Sequence, residues 1–326
     1  MNLPHFTYHA PATLEECTGL LADLGDKAQI LAGGSDLLVR MKFRLTRPGH
    51  LVSLSKIAEL KHIVYNPGKG LTIGAGTTLS VLASDSIVRE QCPALATTGE
   101  LVATKQIRNT ATLGGNIFQN TRCQYYDRSP VWGKAVAPCF KRNGTLCHVV
   151  PKGKRCFAVY QGDMAPILIA LNATAMIVSK NSGKELHVET LFSGDGKEPC
   201  KDRTGMLIKH FTIPENSLRM HSAYRKYRLR NGIDFPLAGV AVVVENKNDL
   251  IGNLRICLTG TASSPFLIPG TGEMARGKTL SKELAREAGK MAQAAAHPLA
   301  NLEDEPARRR FMIRIMTEDI LTSFVS

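Results

Sequence analysis

The sequence predicts an α+β protein, with two small lobes of mixed helices and strands followed by a C-terminal α+β domain that contains an antiparallel sheet. Three observations indicate this class. Short apolar stretches that run into glycine pairs alternate with helical patterns in the first half of the chain. Three strand-like stretches and then two helical patterns occupy its end. Between these parts lies a polar segment, residues 121–156, with four of the eight cysteines.

Caps and turns define the elements of the first part. Thr13 and Glu16 form a capping box before a helix, and Ser35 is suited to cap the helix after the first glycine pair. The run Asn66-Pro67-Gly68 marks a hairpin turn. The predicted elements are strands at 6–11, 28–34 and 50–57, the hairpin at 63–76 and a helix at 77–91.

The rest of the chain is interpreted in the same way. The stretch 111–117 repeats the strand and glycine-pair pattern, and Asp163 is placed to cap a helix at 164–173. A hairpin follows at 173–189, then strands at 222–236, 239–246 and 254–261 and helices at 281–296 and 308–324. We therefore predict lobes at 1–55 and 56–216, with an insertion at about 121–161, and a C-terminal domain at 217–326.

Composition excludes several classes of protein. The chain has 326 residues, 44% hydrophobic and 21% charged, which is ordinary for a globular protein of two or three domains. We expect no membrane segment, because no apolar run reaches the ~18 residues that a spanning helix needs. The N-terminus lacks the pattern of a secretory signal, so we expect a cytoplasmic location. The net charge of +13 favours an acidic partner, but without a recognition motif nucleic acid is not expected.

The two glycine pairs are the first chemical signal. Adjacent glycines allow positive φ and let backbone N–H groups face one point, which is how such turns bind phosphates. Ser35 and Thr112 add hydroxyl groups beside the two pairs. One pair alone is more often a structural turn, but two in one half of the chain are suited to hold a pyrophosphate from both sides. Neither matches G-x-G-x-x-G or a P-loop.

The cysteine segment is the second signal. Its spacing, C-x15-C-x7-C-x8-C, is neither that of a zinc ribbon nor that of a bacterial ferredoxin. The residues leave open a zinc site with four thiolates or with three and His148, an iron–sulfur cluster, or an unligated basic loop. Eight Lys and Arg residues in 121–156 favour the cluster, because they would offset its negative charge. The remaining cysteines, Cys17, Cys92, Cys200 and Cys257, are interpreted as ordinary buried or surface thiols.

Four stretches, QILAGGSDLL, TIGAGTT, ATLGGNI and GDMAPILIALNA, resemble in this order the FAD-binding subunit of the xanthine dehydrogenase and carbon monoxide dehydrogenase family. The resemblance extends to SAYRKYRLRNGIDFP and so covers nearly the whole chain. It implies a two-lobed FAD-binding domain (PCMH-type) and the C-terminal domain of the flavoprotein subunit. It also implies electron transfer rather than substrate chemistry, in agreement with the lack of paired catalytic carboxylates or a nucleophile–base set. We therefore expect no catalytic residues in this chain.

The resemblance also implies which residues contact FAD. The first loop contributes Gln29, Ile30, Leu31, Ala32, Gly33, Gly34, Ser35 and Asp36. The second contributes Thr112, Gly114, Gly115 and Asn116, with Val102 and Ala111 beside it. Thr77, Asp163 and Ile208 fall at further contact positions. The resemblance also implies a lysine near the flavin. An alignment that starts from Ser222-Ala223-Tyr224 places Arg225 at this position, whereas one that starts from Asp234 places Lys226 there. We expect Lys226.

In ordinary family members the second glycine loop runs directly into the helix that resembles DMAPILIAL, so the cysteine segment is an insertion. The sequence resembles a reductase branch of the family in which such an insertion carries an additional [4Fe-4S] cluster. That resemblance makes Cys123, Cys139, Cys147 and Cys156 the ligands. It implies a large subunit with the molybdenum cofactor, a small subunit with two [2Fe-2S] clusters, assembly as a dimer of heterotrimers, and ferredoxin as electron donor. The alternative is an oxidising, NAD-linked member with a structural zinc loop.

Overall fold

Three β-sheets organise the part of the chain that the computed structural model describes, which is residues 2–180, 182–201, 204–247 and 249–325. Within these ranges no helix combines the length and the apolar character needed to cross a membrane. The first five elements are β1 (Thr7–His9), α1 (Leu14–Leu24), β2 (Ala28–Leu31), α2 (Leu37–Lys42) and β3 (His50–Ser53). They form a small parallel sheet of order β1-β3-β2, with α1 packed on it.

The middle of the chain builds a five-stranded antiparallel sheet and a layer of short helices. The elements are β4 (Ile63–Asn66), β5 (Gly70–Gly74), α3 (Leu79–Ser84), α4 (Ser86–Gln91), α5 (Pro93–Leu101), α6 (Lys105–Arg108), α7 (Leu113–Ile117), α8 (Pro130–Ala135), α9 (Met164–Ala170), β6 (Thr174–Ser179), β7 (Ser182–His187), β8 (Leu207–Pro214) and α10 (Glu215–Leu218). The strand order is β4-β5-β8-β6-β7, so β8 is central and pairs with β5 and β6, which both precede it in the chain.

The C-terminal part is an antiparallel sheet of order β12-β11-β10-β9 with helices on one face. Its elements are β9 (His221–Tyr227), β10 (Ala238–Lys247), β11 (Leu250–Thr259), β12 (Phe266–Leu267), α11 (Thr271–Ala275), α12 (Lys282–Ala295) and α13 (Pro306–Ser323). Strand β10 is apolar on both faces. Ala241 and Val243 face the core that contains α5 and α9, whereas Val240 and Val242 face the core beneath α12 and α13. The sheet is therefore covered on both sides, and α9 is fixed against it.

Several predicted elements are confirmed. Thr13 caps α1 by accepting a hydrogen bond from the Glu16 N–H, and the hairpins at β4–β5 and β6–β7 form in the predicted places. The three C-terminal strands and the two long helices are also present, although the first strand ends at Tyr227 and the residues up to Pro236 are loop. The central strand β8 and the helices α5 and α6 were not predicted.

Four local predictions are wrong. Asp36, not Ser35, precedes α2, and its side chain makes no capping bond. The single helix predicted at 77–91 is two helices, because Asp85 has extended backbone and caps the second through the Val88 N–H. The second glycine pair belongs to the short helix α7 rather than following a strand. Asp163 precedes α9 but makes no capping bond.

Candidate functional site

A cavity of about 930 Å³ lies between the parallel sheet, the helix layer and the five-stranded sheet. This volume is at the upper end of the range for small-molecule and cofactor sites, so the cavity is large enough for a dinucleotide-sized cofactor. Both glycine pairs line the cavity, although they are about eighty residues apart in sequence. The size and lining of the cavity therefore agree with the region that the glycine pairs indicated.

The first glycine loop touches the chain just before the second. A Cβ atom on Gly33 would lie 2.6 Å from the carbonyl carbon of Thr110 and 2.8 Å from Cα of Ala111, both backbone atoms. No side chain fits in that space, so glycine is required here for close approach. Gly34 has φ of 72°, a left-handed conformation that glycine adopts without strain. These two glycines permit the two loops to share one wall of the cavity.

The second glycine loop is the first turn of α7. The Thr112 hydroxyl accepts a hydrogen bond of 3.1 Å from the Gly115 N–H, and the Gly114 N–H donates to the Ala75 carbonyl at 2.8 Å. Asn116 connects this loop to α9, because its Oδ1 accepts a hydrogen bond of 3.1 Å from the Met164 N–H. Asn116 thus provides the cap that sequence patterns assigned to Asp163.

The Asp163 side chain has a different function. Its Oδ1 accepts a hydrogen bond of 2.9 Å from the Tyr224 hydroxyl and lies 3.1 Å from the Lys226 ammonium. Lys226 also donates to the Asp234 carbonyl at 3.2 Å. Tyr224 and Lys226 lie two residues apart on one face of β9, whereas Arg225 lies on the opposite face and is exposed. Arg225 and Lys226 were the two alternatives for the basic residue near the flavin, and of these only Lys226 lies next to Asp163.

Burial dominates the electrostatics of this cluster. It raises the pKa of the Asp163 carboxyl, an effect that the neighbouring Lys226 and Tyr224 oppose. It lowers the pKa of the Lys226 ammonium, which Asp163 in turn raises. It also raises the pKa of Tyr224 well above its ordinary value. Since both charged groups are nearly inaccessible to water, each depends on the other for stabilisation.

Most of the residues that the resemblance assigned to FAD line this cavity. They are Gln29, Ile30, Ala32, Gly33, Gly34, Ser35, Asp36, Val102, Ala111, Thr112, Gly114, Gly115, Asn116, Asp163 and Ile208. Three others do not line it: Leu31, Thr77 and Lys226. Thr77 instead accepts a hydrogen bond from the Leu113 N–H with its carbonyl oxygen, and so holds the start of α7. Lys226 reaches the cavity only through Asp163.

Five basic residues in the lining were not predicted. They are Arg40, Arg47, Arg122, Lys184 and Lys201. They come from four separate parts of the chain, so no local sequence motif indicates that they share a site. One of them is fixed by a predicted residue, because Asp36 forms a salt bridge of 2.8 Å with Arg122 and also accepts a hydrogen bond from the Asn120 N–H. Arg122 in turn stacks its guanidinium 3.7 Å from the centre of the Phe235 ring.

The four cysteines of the insertion line a second, smaller cavity. Cys123, Cys139, Cys147 and Cys156 surround it together with mainly apolar and aromatic side chains. Among the described residues, no three His, Cys, Asp or Glu side chains are arranged to hold a metal ion. His148 lines the same cavity, but its Nε2 lies 2.8 Å from the Ala137 carbonyl oxygen. The insertion therefore gathers all four of its thiols around one space.

Burial affects the ionisable groups of this cavity. It raises the pKa of the Cys123 thiol to about 12 and also raises that of Cys156. It lowers the pKa of Lys141 to about 8, which leaves the ammonium form in the majority at pH 7. A raised pKa makes a thiol a poor nucleophile, so Cys123 and Cys156 are not in the setting of a reactive cysteine. A metal that bound these thiols would replace their protons.

Two hydrogen bonds connect the linings of the two cavities. Arg40, which lines the large cavity, donates at 2.9 Å to the hydroxyl of Tyr126, which lines the cysteine cavity. Lys141 of the cysteine cavity donates at 2.7 Å to Oδ1 of Asn120, which lines the large one. Side chains that line the two cavities are therefore in direct contact at these two places.

Comparison with known proteins shows which cofactor the family of this chain binds. A family model described as the FAD binding domain in molybdopterin dehydrogenase matches residues 4–216, and one described as the CO dehydrogenase flavoprotein C-terminal domain matches residues 222–324. The carbon monoxide dehydrogenase medium chain of Hydrogenophaga pseudoflava is 27% identical over 321 residues, covering 98% of this chain and 97% of that protein. The aldehyde oxidoreductase FAD-binding subunit PaoB of Escherichia coli K12 is 32% identical over 275 residues, covering 81% and 83%.

Comparison of the fold with solved structures agrees with the sequence comparison. The structure of carbon monoxide dehydrogenase from Hydrogenophaga pseudoflava, in a form that lacks the Mo-pyranopterin moiety of its cofactor, matches with a TM-score of 0.80 at 27% identity over 99% of this chain and 98% of that one. The predicted fold class is confirmed. The two glycine loops, the close contact at Gly33 and the size of the cavity fit FAD. The chain belongs to the FAD-binding subunits of the xanthine dehydrogenase and carbon monoxide dehydrogenase family of molybdenum hydroxylases.

Proposed function

We propose that this chain is the FAD-binding subunit of a 4-hydroxybenzoyl-CoA reductase, which removes the phenolic hydroxyl of its substrate reductively to give benzoyl-CoA. In this proposal the four cysteines of the insertion hold a [4Fe-4S] cluster. When bound, the cluster and FAD supply one-electron and two-electron redox chemistry, which carries electrons from ferredoxin towards the [2Fe-2S] and molybdenum subunits. The subunit itself binds and orients these groups. The large and small partner subunits, a dimer of heterotrimers and a cytoplasmic location are parts of the same proposal.

The observation that carries the proposal is the convergence of four thiols on one cavity, which lies next to the large cavity. In this proposal the large cavity holds FAD, and we call it the FAD cavity. A single zinc ion needs four donors about 2.3 Å from one point. A four-iron cluster binds each thiolate to a different iron, so its thiolates surround a volume. The lining of a common space by Cys123, Cys139, Cys147 and Cys156 supports the larger group.

The position of the cysteine cavity supports a role in electron transfer to the flavin. The pairs Arg40–Tyr126 and Asn120–Lys141 join the two linings directly and so belong to the layer of side chains between the two cavities. No described residue of this layer needs to react. Its function is to fix the separation and to exclude water between the two groups.

The surface charge of the insertion supports an acidic electron donor. Five of its basic residues are exposed: Arg128, Lys134, Lys152, Lys154 and Arg155. Asp127 is the only acid in 121–156. A cluster of exposed positive charge increases the association rate of a negatively charged protein, and the increase falls with ionic strength. Ferredoxins are small acidic proteins, so they fit this surface.

The test begins with the metal. The purified, anaerobic complex should contain iron and labile sulfide in excess of what two [2Fe-2S] clusters account for, and no zinc. Cys139→Ser and Cys147→Ser should each remove this excess, whereas Cys200→Ser, a substitution of a buried thiol outside the cavity, should not. Zinc in the place of iron, or iron content unchanged in both cysteine variants, would contradict the proposal.

The second part of the test is the reaction. Reduced ferredoxin should be oxidised by the complex when 4-hydroxybenzoyl-CoA is added, with formation of benzoyl-CoA. The rate should decrease as salt is added, and Lys152→Glu together with Lys154→Glu should decrease it further at low salt. Turnover only in the oxidising direction with NAD, without any reaction of the acyl-CoA, would refute this substrate and donor.

The relatives favour a second candidate. One of those described above is named as part of a carbon monoxide dehydrogenase, and this name describes oxidation of the substrate. In this candidate the chain serves an oxidising molybdenum hydroxylase, FAD passes electrons outward to NAD, and the insertion is a structural zinc loop. The metal analysis distinguishes the two, since this candidate requires zinc in the cysteine cavity.

A further inference from the structure

Lys141 is an internal lysine whose ammonium group is fully paired. Its Nζ donates to Oδ1 of Asn120 at 2.7 Å, to the hydroxyl oxygen of Thr121 at 2.5 Å and to the carbonyl oxygen of Gly196 at 2.5 Å. An ammonium has three N–H donors, and each has one acceptor here. The Thr121 hydroxyl uses its own hydrogen for the Gly196 carbonyl, which leaves its oxygen free to accept. The three oxygens therefore fix the position of one positive charge.

The location of this charge is specific. Lys141 lines the cysteine cavity, and its acceptor Asn120 lines the FAD cavity. The residue is 9% exposed, in contrast to Lys134, Lys152 and Lys154 of the same insertion, which are exposed. Lys141 is therefore the buried lysine of the insertion, and its ammonium contacts a residue that lines the FAD cavity.

We propose that Lys141 sets the reduction potential of the metal cluster held by the four cysteines, by placing a fixed positive charge beside it on the side of the FAD cavity. This inference rests on the proposed function for the presence of the cluster. Reduction adds a negative charge to a site that four thiolates already make negative. A nearby cation stabilises the reduced form more than the oxidised form, and so raises the potential.

Burial is what makes this lysine different from the other basic residues. Exposed charges are weakened by water and by salt, whose screening length is about 8 Å at physiological ionic strength. A charge in the protein interior is screened much less. Arg128, Lys134, Lys152, Lys154 and Arg155 should therefore contribute to association with a partner, while Lys141 contributes to the potential.

The experiment compares two substitutions that remove the same charge. Lys141→Met and Lys152→Met each remove one lysine, one buried and one exposed. The full complex is titrated anaerobically with dithionite in the presence of mediators, and the EPR signal of the cluster is followed. At a fixed potential, Lys141→Met should decrease the ratio of reduced to oxidised cluster at least tenfold, which is a shift of about −59 mV for one electron. Lys152→Met should stay close to the wild type.

A rescue variant separates charge from architecture. Lys141→Arg keeps the positive charge and should restore most of the potential, whereas Lys141→Gln keeps hydrogen-bond donors without charge and should resemble Lys141→Met. A potential in Lys141→Met equal to that in Lys152→Met would overturn the proposal, and so would a potential in Lys141→Gln equal to that of the wild type.

A second measurement applies if the neutral variants do not retain iron. The metal-free full chain is titrated with Cd²⁺, and the thiolate-to-metal absorption is followed. The affinity of Lys141→Met should be at least tenfold weaker than that of Lys152→Met, and equal affinities would overturn the proposal. Failure of the proposed function has a different signature: the wild type would then show no additional cluster signal and no iron above that of its partner subunit.

Discussion

The close contact at Gly33 allows a quantitative prediction for Gly33→Ala. The added methyl group would lie 2.6 Å and 2.8 Å from the backbone atoms of Thr110 and Ala111, whereas ordinary contacts of a Cβ atom are 3.4–4 Å. The two loops must therefore separate by roughly 1 Å, and no side-chain rotation relieves the clash because the neighbours are backbone. Overpacking of this kind costs about 1–3 kcal/mol, and rigid neighbours place this case at about 3 kcal/mol. The unliganded chain can relax by separating the loops, whereas FAD binding requires them at their original separation. The cost therefore falls on binding, and FAD affinity should decrease about 100-fold.

The assay is the titration of the deflavinated full chain with FAD, followed by flavin fluorescence, together with the thermal unfolding temperature. The matched control is Gly19→Ala. Gly19 lies inside α1, and a Cβ atom there would meet nothing within 4 Å. This control should bind FAD as the wild type does and be slightly more stable, because alanine favours a helix over glycine by up to ~1 kcal/mol. If Gly33→Ala binds FAD within threefold of Gly19→Ala at the same unfolding temperature, the reasoning is refuted.

Three further predictions concern the same region and its core. Thr112→Val removes the cap of Gly115, at a cost of about 1 kcal/mol, and should weaken FAD binding about fivefold, whereas Thr112→Ser should not; equal affinities of the two variants would contradict this. Lys226→Met leaves the buried Asp163 carboxyl without its cation and should destabilise the protein by about 3–5 kcal/mol in urea unfolding. Adding Asp163→Asn should restore most of that loss, and a double variant as unstable as the single one would exclude this explanation. Burial raises the pKa of the Cys92 thiol from 9.0 to about 11. Between these two pH values the thiol ionises in the unfolded state but not in the folded state. The free energy of unfolding should therefore be unaffected by this group below pH 9 and fall by about 3 kcal/mol as the pH rises from 9 to 11. Cys92→Ala should show a correspondingly smaller decrease in urea midpoint between pH 8 and 11, and an unchanged decrease would show that another group is responsible.

Local signals in the sequence were sufficient where the structure depends on neighbouring residues. The cap at Thr13, the turn at Asn66-Pro67-Gly68 and the apolar C-terminal strands all depend on residues a few positions apart. All of them are present, although the first of the strands ends earlier than predicted. The prediction of one long helix at 77–91 was wrong, because local patterns do not distinguish an Asp inside a helix from an Asp that caps one. Asp85 caps a second helix here.

Long-range pairing was not predictable in the same way. Strand β8 becomes a strand because β5 and β6 pair with its two edges, and both partners lie far from it in sequence. The same is true of the candidate site. The contacts between Arg40 and Tyr126 and between Asp36 and Arg122 each join residues 86 positions apart. Only the resemblance to the family indicated which of the scattered residues would converge, and it did not indicate the basic lining residues such as Arg40.

The two ends of the cysteine segment meet at one pair of backbone hydrogen bonds. Arg122 and Val159 form an antiparallel bridge, in which each N–H donates to the carbonyl of the other at 2.8 and 2.7 Å. The segment between them therefore leaves and re-enters the fold at one point, and the entropic cost of closing such a loop grows only slowly with its length. A change in the length of this segment should therefore cost the rest of the fold little stability, as long as the bridge keeps its two hydrogen bonds.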